Sequence, residues 1–495
     1  MNNYLKIFQW MRFDIDEIMR IHEEIYFNHT HRFEKDSSLP SNDNGKIQCD
    51  FGYVQVPKEG RTIKKANRNI LSVKYKFSCH LIISRCSGVK GGVATFNSVI
   101  LEKVLGEYYD IMLETLKRCG FIGIGTYKVG VSSREIWLTD SSICKQETTN
   151  KKILKYRKKT KSLVKKLYRP LDESLSQSYS KALRKLTLDK DKAIEATRSK
   201  FFSVDSENDR KEYNWRIARI ETFDYYPPKQ DANGRIYHYL TNFPKDLVGY
   251  TNVHYELDCS NCHPMLLCFI LMYYYKIHST SSLYIHYLMD FLRKVLTDNE
   301  IKRLGQYSKD DIPEDVIRYI EKTSEGTFWD DYTERFGDAN RSKVKQLMFS
   351  EVFYSPDNDV FRRDENVKDK YKVKYIKKYA IEFRKDYPNV WSLIGRIKAI
   401  GKKRLVSDDD NKNSLFPCMM MRLESTIFRE ILRRCYDARY TNVINIHDAI
   451  CVIDDDSQHY SPMEIKNIML DVFSEYGLTP NIKIDNIVIN NKYKR

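Results

Sequence analysis

A chain of 495 residues has room for two or three domains and at least one large core. Its formal charge of +16 suits a polyanionic partner, although a composition rich in Lys, Asn, Ile and Tyr produces the same surplus with no partner at all. The opening Met1–Lys6 lacks a signal-peptide pattern, the apolar stretch 265–275 is too short to cross a bilayer, and the 11 cysteines read as reduced core thiols, so an intracellular chain with no membrane role is expected.

Residues 1–150 mix both periodicities and are expected to form an N-terminal α/β or α+β domain. Apolar spacing predicts helices over 15–26 and 99–119, while alternation and β-branched or aromatic residues predict strands over 75–84 and 126–138. The loop 87–92 has glycines enough to approach a phosphate. It fits neither the Walker nor the dinucleotide spacing and reads as a flexible loop. Asp14-Ile-Asp16 has no companion acids and reads as a helix face. Residues 151–213 are strongly basic, most densely at 151–161. Apolar positions at Ile153, Leu154, Leu163, Val164, Leu167, Leu183 and Leu186 keep a helical period there. This region is expected to be a solvated helical face or a thumb-like element that grips a duplex.

The chemistry lies in residues 214–495. Tyr255–Asp258 reads as a strand ending on an acid, then a turn and an apolar helix from His263-Pro264. The Asp258 carboxylate is thereby held at a rigid strand end, open to a cleft. Cys259-Ser-Asn-Cys262-His263 also fits a haem-attachment pattern and half of a zinc site. Neither is expected, for want of an export signal and of a second cysteine pair at a suitable distance. Arg341, Lys345, Phe349 and Phe353 recur every four residues along one helical face, beside a separate apolar stripe of Leu347, Met348 and Val352. Two cations followed by two aromatics suit a triphosphate, then a sugar and base. The polar stretch 408–413 reads as an exposed loop. Within the apolar, strand-like run 443–453 stands the pair His447-Asp448, costly to embed unless a metal or partner compensates. A hairpin would set Asp448 beside Asp258. Either acid alone reads as a helix cap or a strand end. Both together, with a basic helix between them in the chain, are what metal-assisted nucleotidyl transfer needs.

These segments together resemble the family A polymerases, which include bacterial DNA polymerase I and the single-subunit phage and mitochondrial RNA polymerases. Asp258 stands where that family has its first catalytic acid, Arg341, Lys345, Phe349 and Phe353 match its fingers-helix motif, and His447-Asp448 matches its His-Asp motif. Asp231-Ala-Asn-Gly234-Arg235-Ile-Tyr237 is similar to an upstream segment whose Arg lies near the primer or product strand. Met421-Arg-Leu-Glu424-Ser-Thr-Ile resembles the palm helix before the last motif.

The resemblance implies an α+β right-hand polymerase: a palm with an antiparallel sheet, helical fingers and a thumb, with palm and fingers in 214–495. It implies template-directed transfer of a nucleotide to a 3′-hydroxyl, with two Mg²⁺ ions (Mn²⁺ as a substitute) held by Asp258 and Asp448 about 4 Å apart. Lys345 would stabilise charge on the departing pyrophosphate, and Arg341 would clamp the γ-phosphate. Phe349 and Phe353 would pack on sugar and base, His263 would gate the sugar, and Arg235 and His447 would orient the primer end. The implied partners are primer–template DNA or a DNA/RNA hybrid and nucleoside triphosphates, with other replication proteins as candidates.

Three positions depart from the family. Phe353-Tyr354 stands where it has Tyr then Gly, Ala449 where its DNA enzymes often carry a third acid, and His263 where they have the Glu that bars a 2′-hydroxyl. Loss of a hydroxyl at Phe353 leans toward deoxynucleotides, so a DNA polymerase is favoured over an RNA polymerase or primase-polymerase. Two rivals of other classes are a nucleic-acid-binding replication initiator with a degenerate palm and a metal-dependent nuclease. The nuclease has no use for the Arg–Lys–Phe stripe.

Overall fold

Two sets of buried side chains organise the chain in the computed structural model. It describes residues 5–487 except 23, 26–45, 50–51, 56–67, 97, 107–108, 126–133, 149–152, 154–155, 157–168, 203–205, 276, 278–281, 306–311, 338–339, 356, 364–372, 404–414 and 455–460. One core gathers Trp10, Tyr75, Ile82, Leu113, Ile136 and Ile153; the other draws on residues from Leu171 to Ile487. The helix Glu207–Glu221 belongs to both, with Ala218 in the first core and Ile220 in the second. Asn214 Nδ2 and Trp215 Nε1 donate to Leu138 O (3.1 Å) and Ser87 O (3.3 Å) on one side, while Arg219 Nη2 donates to Tyr239 O (2.6 Å) on the other. The boundary expected between 213 and 214 therefore runs through a helix.

The N-terminal sheets are antiparallel: Leu5–Trp10 pairs with Ile143–Thr148, and Arg134–Leu138 pairs with Ala94–Phe96 and Ile122–Ile124. This makes the region α+β and corrects the α/β alternative, since among the described residues no parallel pair calls for a crossover. The strand expected over 75–84 is part of the helix Arg68–Ser87. Tyr75, Cys79, Ile82, Ile83 and Cys86 are buried at three- and four-residue intervals, a period the local alternation concealed. The helix expected over 99–119 is broken at Gly106 (φ 94°) into Ser98–Leu105 and Tyr109–Arg118. Only Arg134–Leu138 of the strand expected over 126–138 lies within the described residues. Asp14 Oδ1 accepts from the Asp16 amide (2.9 Å) at the head of a helix. Gly92 (φ 72°) lies so near the joining helix that a Cβ there would meet Trp215 Cβ at 2.6 Å, so the 87–92 loop packs on protein.

Of the basic region, 151–161 lies outside the described residues except for Ile153 and Tyr156. The helix Glu173–Lys185 does not project as a thumb would. Leu175, Tyr179 and Leu183 are buried in the second core, and the Tyr179 hydroxyl donates to Asn445 Oδ1 (3.0 Å).

A four-stranded antiparallel sheet lies at the centre of the second core, in the order Val443–Ile446, Ala449–Ile453, Val253–Cys259, Ile482–Asn486. Two helices fill the core beside it. Cys262–Tyr274 is apolar all round and buried except at Tyr273, as a wholly enclosed helix must be. Leu415–Asp437 buries Met419, Met420, Leu423, Ile427 and Phe428 along one face. Helices at Glu314–Glu325, Phe328–Arg335, Arg341–Met348 and Lys378–Asp386 gather around Tyr319, Phe328, Phe353 and Phe383, whose rings meet at 5.5–6.3 Å. No described helix is long and apolar enough to cross a membrane. The polar stretch 408–413 lies outside the described residues.

Candidate active site

Asp258 and Asp448 meet because two strands pair in one register. Ile446 pairs with Ala449 across a two-residue turn, so His447-Asp448 forms the turn itself, a correction to the expected position inside a strand. Asp258 is the residue opposite Ala449, and the Cys259 amide donates to Asp448 O (3.1 Å). His447 takes the left-handed conformation (φ 53°), which a non-glycine residue adopts at some cost, often at functional sites. Burial raises the Asp258 carboxyl to about 6; the charges of Asp448 and Glu256 push the same way, against Lys345 and Lys245. Two carboxylates that repel one another at a sheet end are a fit for a divalent cation, which would remove the repulsion. Oxygen donors of this kind suit Mg²⁺. Among the described residues no group of three or more His, Cys, Asp or Glu is placed to hold a metal. Cys259 and Cys262 are buried and free.

Arg235 is delivered by a turn whose sequence explains it. Asp231 Oδ1 accepts from the amides of Asn233 (2.8 Å) and Arg235 (3.0 Å), an arrangement Asp favours in turns. Gly234 has φ 90°, and a Cβ there would lie 2.6 Å from Ser425 Oγ. Only glycine lets the turn dock on the 415–437 helix. Arg235 then forms a forked pair with Glu424, Nε to Oε1 at 2.9 Å and Nη2 to Oε2 at 2.6 Å. His263 Nε2 donates to the same Oε2 (2.6 Å), and the Tyr354 hydroxyl bonds His263 Nδ1. Burial alone would raise the Glu424 carboxyl; His263 and Arg235 outweigh it and hold it at about 2. Burial and then the Arg235 charge lower the pKa of His447. His447 Nδ1 has no hydrogen-bond partner among the described residues.

The stripe on the 341–348 helix keeps its expected phase only part of the way. After Met348 the chain winds into a π-helical turn, Phe349–Phe353, in which Tyr354 N donates to Phe349 O (2.7 Å), five residues back. The wider turn delays the phase by a residue. Phe353, expected on a sugar or base, is 1% exposed and packs on Phe328, Phe383 and Phe416. Tyr354 takes the place on the stripe, its ring 4.9 Å from Phe349. Arg341 Nε bonds Asp330 (2.8 Å) in an exposed pair, and neither Arg341 nor Asp258 is among the cleft-lining residues.

What remains is an open cleft on the side of the sheet that carries the His447-Asp448 turn. Arg235, His263, Lys345, Phe349, His447 and Asp448, all expected from sequence, line it, with Asp258 on the strand beside Asp448. Sequence reasoning missed Tyr354, Glu424, Asn261 and Trp329 as parts of the wall or its support. Glu424 carried a readable signal, a charge amid the buried Met420, Leu423 and Ile427. No family model, curated protein or solved structure matches the chain, so the function must be read from this cleft.

Proposed function

We propose that the protein is a template-directed nucleotidyltransferase, a nucleic-acid polymerase that adds nucleotides to a 3′-hydroxyl. The observation that carries the reading is the meeting of Asp258 and Asp448, from segments far apart in sequence, across a cleft wall from Lys345. A right-hand arrangement, with the central sheet as palm and the helices around Lys345 as fingers, follows from the same reading. Asp258 and Asp448 would hold Mg²⁺, which supplies activation of the 3′-hydroxyl and charge neutralisation on the phosphates. Lys345 neutralises the departing pyrophosphate, and Phe349 offers its face to the nucleotide. Arg235, fixed by Glu424, and His447 orient the primer end. A formal charge of +16 is consistent with a duplex partner.

Sugar choice turns on Tyr354. The expectation of a DNA polymerase leaned on Phe353 lacking a hydroxyl, and that support goes once Phe353 lies in the core. A tyrosine whose hydroxyl bonds His263 favours a second reading, an RNA polymerase or primase-polymerase. Extension of a labelled primer with ribonucleotides and with deoxynucleotides in separate reactions tests both. Incorporation from one pool only assigns the sugar. Binding to primed template with no incorporation from either pool, with Mg²⁺ or Mn²⁺, contradicts the polymerase reading and leaves a binding protein.

A further inference from the structure

We propose that Asn261 and Trp329 hold the polyphosphate tail of the nucleotide, beside Lys345, at the amino end of the Cys262–Tyr274 helix. The nucleotide comes from the polymerase reading, on which this inference rests; the observations are separate from those that carry it. Asn261 is 4% exposed and lines the cleft, and among the described residues neither its amide oxygen nor its nitrogen has a hydrogen-bond partner. An Asn just before a helix ordinarily caps it, yet this side chain makes no cap bond. Its backbone is left-handed (φ 56°), a conformation Asn tolerates better than most residues.

Trp329 reaches the same cleft from the helix Phe328–Arg335. It is 1% exposed, and its Nε1, which can only donate, likewise has no partner among the described residues. Buried polar atoms in native proteins are normally satisfied, so two such side chains on one wall mark a place for a ligand. The ligand's chemistry follows from the donors. Lys345, Trp329 and Asn261 bring an ammonium, an indole N–H and an amide NH₂ to the lining of one cleft, and the Cys262 and His263 amides open the helix beside them with no acceptor within it. Acceptor-rich phosphate oxygens match this set; an apolar base face would leave it unsatisfied. Arg341, the expected phosphate clamp, is held in an exposed pair with Asp330, and Asn261 and Trp329 add donors on the cleft wall itself.

The test uses the full chain and inorganic pyrophosphate with Mg²⁺, titrated calorimetrically. The variants are Asn261→Gly, which keeps the left-handed backbone, Asn261→Asp, which adds repulsion, and Trp329→Phe, which keeps the ring and removes the donor. Loss of one hydrogen bond should weaken pyrophosphate binding about tenfold in Asn261→Gly and Trp329→Phe. Asn261→Asp should weaken it further, and the nucleotide KM in primer extension should rise by the same factors. Wild-type affinity in both Asn261→Gly and Trp329→Phe, or no pyrophosphate binding by the wild type, overturns the proposal. If the wild type binds pyrophosphate, the variants lose it and no primer is extended, the anion site stands and the polymerase reading fails. If primers are extended while the variants bind normally, only the anion site fails.

Discussion

Asp258 is a carboxyl that burial and its neighbours hold at about 6, above its ordinary 3.8. The folded chain therefore binds this proton more tightly than the unfolded chain does. Its contribution to stability is complete below about 3.8 and is lost as pH rises through 6, by about 3 kcal/mol in all. Asp258→Asn should accordingly raise the thermal midpoint at pH 8 without divalent metal and change it little near pH 4. Added Mg²⁺ should stabilise the wild type at pH 8 and lose most of that effect in the variant. A lower midpoint for Asp258→Asn at pH 8 would mean that the carboxylates do not repel. Residues 353 and 354 separate in the same way. Phe353→Ala should cost about 3–5 kcal/mol in denaturant unfolding, as truncation of a packed aromatic does. Tyr354→Phe should cost no more than about 1.5 kcal/mol and instead change the ratio of ribonucleotide to deoxynucleotide incorporation. The sequence made both positions visible but not their exchange. A four-residue spacing identifies a helical face only while the winding stays α-helical, and nothing in Phe349-Ser-Glu-Val-Phe353 announces a π-turn.

At the scale of elements, one buried carboxylate ties together the 231–235 turn, the 415–437 helix, the head of the 262–274 helix and the end of the π-turn. Replacing Glu424 with Ala would leave the Arg235 guanidinium buried and unpaired, a loss of about 3–5 kcal/mol. Its pH signature is opposite to that of Asp258. A carboxyl lowered from 4.5 to about 2 contributes stability that is present above 4.5 and lost as pH falls through 2. Unfolding measured from pH 5 down to pH 2 should show this loss in the wild type, and Glu424→Gln should flatten it. Elements were legible where one principle acted alone. The strand running into Asp258 was read from local chemistry, whereas the 231–237 segment was singled out only by its resemblance and its turn was not foreseen. The 68–87 helix was not, because β-branched and aromatic residues there imitate a strand while the buried set keeps a helical period.

For the whole molecule, the two cores share the Glu207–Glu221 helix, so cutting the chain near residue 150 should not release a sound C-terminal domain. Removal of residues 1–150 would bare Trp215, Ala218 and the Asn214 amide. The truncated chain should therefore unfold at a lower temperature than the same region in the full chain, as calorimetry would show. The expected boundary rested on composition, which marks the basic stretch, while the division of cores depends on which face of one helix meets which partner. The meeting of the two aspartates, by contrast, followed from their strands and a hairpin. Single-turnover nucleotide addition to a primed template tests the central claim most directly, with wild type and Asp448→Asn compared in Mg²⁺ and primer binding measured on the same samples. Binding should stay within a few-fold, while addition should fall by on the order of 10³-fold or more. Undiminished addition by Asp448→Asn would contradict the account.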